Sequence, residues 1–297
     1  MPDHVSVVMP YYNRADVLEA AAQSVLGQTH RSLTLFLVDD GSTDNSRSIA
    51  RSLGDDRVAY VELDRNSGAC AARNAGLKVA HTKLVAFMDS DDEWVSEKLA
   101  VQIQELRAWQ QAEPRVAVIG CGWSYVGQSQ HRVFPRGPFT GRQVLDNQAA
   151  GIGTPMLLVD RSVAAPARFD ASFPALEDRE FVISCLGNGS LVAVVPKVLA
   201  FVSRGRGDHV ANPHNASLAY ERFLEKYAPQ LKADEKLRSW YHFRACREFI
   251  IAGQRRRALR HLPGALMDQR VRRGAHIALG LWGSRRGLAA AQKLAPL

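Results

Sequence analysis

The sequence predicts an α/β protein: a mainly parallel sheet flanked by helices, with a helical appendage toward the C-terminus. Three observations carry this. Short apolar runs alternate with helix-patterned segments through residues 5–90, as in successive βαβ units. The polar clusters of this region each follow an apolar run, at the carboxyl ends of strands where such sheets bind ligands. Charge is also unevenly placed. Although the chain carries a net charge of +8, Lys236 to Leu297 alone holds 14 Lys and Arg against two acids, Glu248 and Asp268. The remainder is slightly acidic, so the pattern is that of a body with a separate cationic module.

Val5–Met9 reads as the first strand, followed by Pro10 and a polar turn. Val17 to Leu26 has helical spacing, with Asp16 or Asn13 available as caps. Leu33–Val38 is a second buried strand and ends in Asp39-Asp40-Gly41; Ser42-Thr43-Asp44 then opens a helix toward Leu53. Val58–Leu63 is a third strand, Asn66-Ser67-Gly68 leads into a helix through Ala80, and Leu84–Met88 is the fourth strand. Beyond Trp94 a helix extends to Gln110, where Pro114 breaks the pattern. Val116–Ile119 and Gly122–Val126 read as two strands, and polar Gln128–Asn147 as a loop or short hairpin. Met156–Val159, Leu191–Pro196 and Val198–Val202 read as strands, with a helix beginning at Glu180. A loop with Gly and His follows from Arg204 to Asn215, and from Ala216 the pattern is helical. The expected division is residues 1–215 as one domain, with halves 1–110 and 111–215, and 216–297 as a basic helical region.

Several classes are set aside by composition. A hydrophobic content of 46% is enough for a sizeable core. The chain enters its first strand without a basic segment or a small-residue cleavage site, so no secretory leader is expected. No apolar run approaches the roughly 18 residues that cross a bilayer. Cys70, Cys121, Cys185 and Cys246 are scattered, without a CxxC pair, and read as buried thiols of a reducing cytoplasm. No nucleic-acid-binding motif accompanies the basic tail, so a nucleic-acid partner is not expected.

The densest chemical signal is Leu84-Val85-Ala86-Phe87-Met88-Asp89-Ser90-Asp91-Asp92, an apolar strand ending in three carboxylates. Side chains alternate along a strand, so Asp89 and Asp91 can point the same way past its end. Two convergent carboxylates make a hard oxygen site suited to Mg²⁺ or Mn²⁺, with positions left for water and phosphate. The alternative is a solvated acidic turn.

Taken with four other segments, this run resembles the family-2 glycosyltransferases of GT-A fold, over about the first two-thirds of the chain. Val8-Met9-Pro10-Tyr11-Tyr12-Asn13-Arg14 is similar to that family's opening strand and loop. Val38-Asp39-Asp40-Gly41-Ser42-Thr43-Asp44 resembles its nucleotide-contacting second strand. Asn66-Ser67-Gly68 with Ala72-Arg73-Asn74-Ala75-Gly76 resembles the helix that closes over base and diphosphate. Met88-Asp89-Ser90-Asp91 matches the DxD motif, and Leu176-Glu177-Asp178-Arg179-Glu180-Phe181, after Phe169-Asp170, the ED segment.

The resemblance implies a Rossmann-like nucleotide-binding half in residues 1–110 and an acceptor and catalytic half in 111–215. It places Pro10, Tyr12, Asn13, Asp39, Asp40, Gly68, Arg73 and Asp89 against the nucleotide-sugar donor. Asp40 can accept a hydrogen bond from the uracil imide, and Asp39 from ribose or a neighbouring base atom; their alternative is helix capping. Gly68 permits close approach to phosphate at a helix N-terminus. Arg73 reaches the nucleotide or pairs with Asp40. Asp91 contacts the metal directly, and Asp89 the ribose or a metal-bound water. Asp92 caps the next helix, and Trp94 packs in the core or stacks on a sugar ring. Asp178, the second acid of the ED pair, is the expected general base, with Glu177 and Glu180 orienting it or binding acceptor. His209 is a further metal ligand in a loop where Arg204 and Arg206 meet phosphate, unless that loop is simply solvated.

The implied function is inverting, metal-dependent transfer from a UDP-sugar to a hydroxyl of a glycan or lipid-linked acceptor in polysaccharide biosynthesis. A non-catalytic nucleotide- or glycan-binding scaffold on the same fold is the alternative, and the presence of both acidic motifs argues against it. A nucleotidylyltransferase would need a glycine-rich basic loop where Pro10-Tyr11-Tyr12-Asn13 stand. From Trp240 onward, apolar and arginine positions interleave at helical spacing. They form either a helical hairpin packed on the body or an interfacial surface drawn to anionic lipid at the inner face of the cell membrane. The second suits a polyprenyl-linked saccharide acceptor.

Overall fold

A computed structural model describes residues 3–128, 130–203 and 212–268. The chain divides into two compact units: Met1–Ala171 with Glu177–Arg206, and Ser172–Leu176 with Gly207–Leu297.

In the first unit, β1 (Val5–Tyr11) is buried along its whole length and is followed by α1 (Leu18–Leu26), β2 (Leu33–Asp39), α2 (Ser46–Ser52), β3 (Val58–Glu62), α3 (Ala69–Val79) and β4 (Leu84–Phe87). Then come β5 (Glu93–Trp94), α4 (Lys98–Ala112), β6 (Val116–Tyr125), β7 (His131–Arg132), β8 (Phe139–Thr140), α5 (Gly141–Leu145), β9 (Leu158–Asp160), α6 (Glu177–Cys185) and β10 (Leu191–Val202). The sheet order is β3-β2-β1-β4-β9-β6-β10-β5, with β7 on β6 and β8 on β10. β1 runs parallel to β2 and β4, β2 to β3, and β10 to β6. β9 is antiparallel between β4 and β6, and β5 is antiparallel to β10. The expected mainly parallel α/β architecture is therefore present, and its parallel strands deliver the ends of β1, β2 and β4 to one edge. Gly76 lets α3 lie directly on that sheet, since a Cβ there would collide with Val8.

Several boundaries differ from expectation for identifiable reasons. The two strands expected on either side of Gly120 are one continuous β6; Gly120 is needed because the Gly151 carbonyl lies where its side chain would be. The two expected around Pro196 are one β10, in which the register shifts between Val195 and Val198. A bulge at that point accommodates a residue without an N–H. Inside Gln128–Asn147, α5 starts at a capping box: the Thr140 hydroxyl accepts from the Gln143 N–H, and Gln143 reaches back to the Thr140 N–H. Val17 precedes α1 with no side-chain cap, so neither Asp16 nor Asn13 serves there.

α4 opens on a fully buried lysine. Lys98 Nζ donates to Gln102 Oε1 at 2.7 Å and stands 3.8 Å from the centre of the Trp94 ring. Gln102 in turn donates to the carbonyls of Ile119 and Met156, and Trp94 to that of Pro155. This network ties α4 to β6 and to the turn before β9, and it confirms Trp94 as a core residue.

The second unit is helical: α7 (Pro213–Lys226), α8 (Ala228–Lys232), α9 (Glu235–Ile251) and α10 (Arg255–Ala265). Asn212 caps α7 and Asp234 caps α9, each through its side-chain oxygen. Phe223, Tyr241 and Phe249 are fully buried, and Phe173 from the short Ser172–Leu176 segment packs edge-on to Phe223 at 4.9 Å. Gly264 lets α10 approach α9, because a Cβ there would strike the His242 ring. No described helix is long and apolar enough to cross a membrane.

Burial pushes the Lys98 ammonium down to about 8 from an ordinary 10.5. Between those values the unfolded chain binds more protons than the folded one, so this residue makes stability rise as pH increases from about 8 to about 10. Lys98→Met is expected to remove that rise, worth about 3 kcal/mol for a shift of this size. Denaturant titrations of both proteins at pH 7, 8.5 and 10 check it.

Candidate active site

The site is built where the first four parallel strands end. Asp40, just past β2, accepts backbone hydrogen bonds from Ser67 and Gly68, both at 2.8 Å. It thereby fixes the turn that launches α3. Gly68 holds φ at 90°, a left-handed conformation that favours glycine, and has open space where a side chain would stand. Asp39 is fully buried; it accepts from the Ser42 N–H at 2.8 Å and pairs with Arg47 through Nε and Nη2. Asn13, at φ 52°, bridges the loops after β1 and β2: its Oδ1 accepts from the Thr43 and Asp44 N–H groups. Pro10 lies in the β1–β2 ladder opposite Val38, while Tyr12 is exposed beside it. Each of Asp39, Asp40 and Asn13 thus has its carboxylate or amide oxygen engaged by the loops around the cradle.

Arg73 joins two parts of the site. It is 5% exposed; Nη2 donates to Asp89 Oδ1 at 2.7 Å and Nη1 to Glu177 Oε1 at 3.2 Å. Burial works against its charge, but the Asp89 and Glu177 carboxylates outweigh it and hold the guanidinium above its ordinary range. The expectation of a pair with Asp40 is not met, because that carboxylate is engaged by the Ser67–Gly68 turn. The next residue, Asn74, clasps the backbone of Phe169 through both its amide oxygen and its amide nitrogen. Phe169 stacks on Phe181 at 4.1 Å, and Phe87 meets both edge-on. Arg73 and Asn74 together hold the end of β4, the Phe169 segment and the start of α6 in one assembly. In sequence Asn74 is only the Asn of the Ala72–Gly76 segment, and nothing local points to its partner 95 residues away on Phe169.

At the start of α6, Asp178 is half-buried and accepts from the Arg179 N–H at 2.6 Å. The Gly153 backbone lies beside its second oxygen. Burial and the adjacent Glu177 carboxylate push Asp178 up to about 6. Glu180 is fully buried and accepts from the Ser184 hydroxyl, which places it inside the helix packing.

Of the three acids after β4, Asp89 is taken by Arg73, and Asp91 is 3.8 Å from Arg14 Nη2. Asp92 is buried and accepts from the Ser203 N–H at 2.8 Å, so it secures the end of β10 and does not cap α4. Burial and its two acidic neighbours push Asp92 up to about 8. Among the described residues no group of three His, Cys, Asp or Glu side chains is placed to hold a metal. Asp89 and Asp91 remain a two-carboxylate set of hard oxygens, which fits a Mg²⁺ or Mn²⁺ that completes its shell with diphosphate and water. Arg204, Arg206 and His209 lie outside the described residues. His214 is in the second unit, where its ring bonds Gln254.

A family model for glycosyl transferase family 2 matches residues 6–165, which span β1 to the segment after β9. The chain belongs to glycosyl transferase family 2. TuaG of Bacillus subtilis, named for teichuronic acid biosynthesis, is 44% identical over 102 residues, 34% of this chain and 40% of TuaG. The Escherichia coli UDP-Glc:alpha-D-GlcNAc-diphosphoundecaprenol beta-1,3-glucosyltransferase WfgD is 30% identical over 193 residues, 64% of this chain and 72% of WfgD. In fold, the chain is similar to the mannosyltransferase PcManGT of Pyrobaculum calidifontis, solved with GDP-Man and Mn²⁺. That match has a TM-score of 0.61 at 19% identity and covers 99% of this chain and 87% of the other. The GT-A architecture expected from the motifs is shared with this family-2 chain's structural neighbours.

Arg73 supplies a sharp test of the assembly. Arg73→Met leaves two carboxylates without their partner and is expected to cost about 3 kcal/mol of stability, as for other broken buried pairs. Arg73→Lys keeps the charge but offers one compact ammonium in place of a fork. It is expected to fold with native-like thermal stability yet lower kcat/KM about tenfold, by the loss of one charge-assisted bond. Thermal melts and donor-turnover kinetics on both variants check the pair.

Proposed function

We propose that this family-2 chain is an inverting, divalent-metal-dependent glycosyltransferase. It moves a sugar from a UDP-sugar to a hydroxyl of a glycan or lipid-linked acceptor in polysaccharide biosynthesis. The observation that carries the reading is the pair at the start of α6. Glu177 is held by Arg73, which also holds the first acid of the DxD run, while Asp178 beside it is pushed up to about 6. A carboxylate tuned this close to neutrality is suited to general base catalysis. The donor and acceptor classes are supported by the name of WfgD, which specifies UDP-Glc and a diphosphoundecaprenol-linked sugar.

In this reading Asp178 takes the proton of the acceptor hydroxyl as its oxygen attacks the anomeric carbon. The bond from that carbon to the diphosphate breaks, and UDP leaves on the opposite face, which inverts the centre. Asp89 and Asp91 would hold the Mg²⁺ or Mn²⁺, which supplies positive charge for the leaving diphosphate. The start of α3, which follows Gly68, presents backbone N–H groups to the same anion. The cradle made by Pro10–Asn13, Asp39 and Asp40 receives the nucleoside. Peripheral attachment to the cytoplasmic face of the membrane, through the basic helical region, brings the enzyme to a lipid-linked acceptor.

Purified protein is expected to release UDP from one member of a panel of UDP-, GDP- and dTDP-sugars, with Mn²⁺ and not with chelator. Turnover should rise about tenfold per pH unit below about 6, where Asp178 loses its proton, and level above it. Asp178→Asn should retain Mn²⁺-dependent UDP binding by calorimetry and lose about a thousandfold in turnover. A fully active Asp178→Asn would move the base elsewhere. Asp91→Ala should abolish the Mn²⁺ dependence of UDP binding, and unchanged affinity would sink the metal assignment.

A further inference from the structure

The outward face of α10 carries a pattern that the proposed reaction does not use. The helix buries Ala258, His261 and Ala265. On a 3.6-residue repeat the opposite face therefore presents Arg256, Leu259, Arg260 and Pro263, with Met267 just past the helix end. Leu259 is 50% and Met267 39% exposed, two of the few large apolar side chains that the described residues leave in solvent. α10 itself contains four arginines and no acid. Arg257 lies over the Phe249 ring within the unit, while Arg256 and Arg260 form no ion pair among the described residues. In sequence, the charged residues after Asp268 are likewise all Arg or Lys: Arg270, Arg272, Arg273, Arg285, Arg286 and Lys293. Four arginines without an acid on this helix are complemented by an anionic partner. Apolar side chains standing among the arginines fit a partner with a hydrocarbon layer beneath its negative charges.

We propose that this face of α10 docks on anionic phospholipid, with Arg256 and Arg260 at the headgroups and Leu259 and Met267 entering the acyl boundary. The inference rests on the membrane attachment in the proposed function and assigns it to particular residues. Each arginine near such a surface strengthens binding severalfold, and salt weakens that contribution. The inserted apolar pair adds a component that salt does not screen.

Co-flotation of the full chain with vesicles tests this, without donor or acceptor. Binding is expected to vesicles of phosphatidylcholine with 30% phosphatidylglycerol and not to phosphatidylcholine alone. Arg256→Glu with Arg260→Glu should weaken it at least tenfold. Leu259→Ser with Met267→Ser should weaken it severalfold, and more at 0.5 M NaCl than at 0.1 M. All four side chains face solvent, and circular dichroism verifies folding of each variant. Wild-type binding by both double variants would overturn the proposal, as would a loss only for the charge variant together with equal competition by short duplex DNA. Donor turnover measured without vesicles stays as in the wild type if the face acts in docking alone, which separates this inference from the catalytic reading.

Discussion

The buried guanidinium of Arg73 is the constraint on which the rest of the site depends. One planar fork on α3 satisfies a carboxylate after β4 and another at the start of α6, from positions 16 and 104 residues away in sequence. Taking such a charge out of water is costly, and only two partners with good geometry offset it. The arrangement therefore has little freedom: a shift of either carboxylate leaves charge uncompensated in a buried place. Its neighbour Asn74 adds a neutral clasp on Phe169, and the Phe87–Phe169–Phe181 trio fills the space beneath. The position of Asp178 follows from these contacts, because it is the next residue after the one Arg73 holds.

A second layer of constraint lies in the loops. Asp39, Asp40 and Asn13 each use side-chain oxygens to bind backbone N–H groups of a neighbouring turn. A backbone group left unpaired where water is excluded is expensive, so acids and amides at strand ends are an economical way to fix a turn. The loops after β1 and β2 and the turn before α3 take their shape from these three residues.

Much of the first unit was legible in sequence because its cause is local. Residues 5–90 alternate in period and punctuation, and β1 to β4 with their helices fall within a few residues of expectation. What was not legible depends on distant partners. Gly120 looks like a strand end until the Gly151 carbonyl explains it, and Pro196 does until the bulge in β10 absorbs it. The antiparallel insertion of β9 between β4 and β6 is a matter of partner choice, which alternation of apolar residues does not encode. The carboxylate motifs were visible, but not who pairs with whom. Arg73 points to Asp89 and Glu177, and Asp92 to Ser203, only once the strands are in register.

The ED pair shows how environment assigns roles that composition leaves equal. Glu177 and Asp178 are adjacent acids of nearly the same intrinsic strength. Arg73 ties Glu177 into an ion pair, and its charge then bears on Asp178 from one residue away. Asp178 has the Arg179 N–H and the Gly153 backbone for neighbours, and among the described residues no cation pairs with it. Burial with a like charge alongside favours its protonated form, and the distant pull of Arg73 and Arg179 only partly opposes this. The pair is thus split into an acid held by a cation and one whose protonated form is favoured by burial and by its acidic neighbour. In the role proposed for it, Asp178 would gain a proton as the acceptor oxygen attacks and lose it again before the next turnover. Arg73 therefore acts on both acids at once, by contact on Glu177 and by an opposing charge on Asp178.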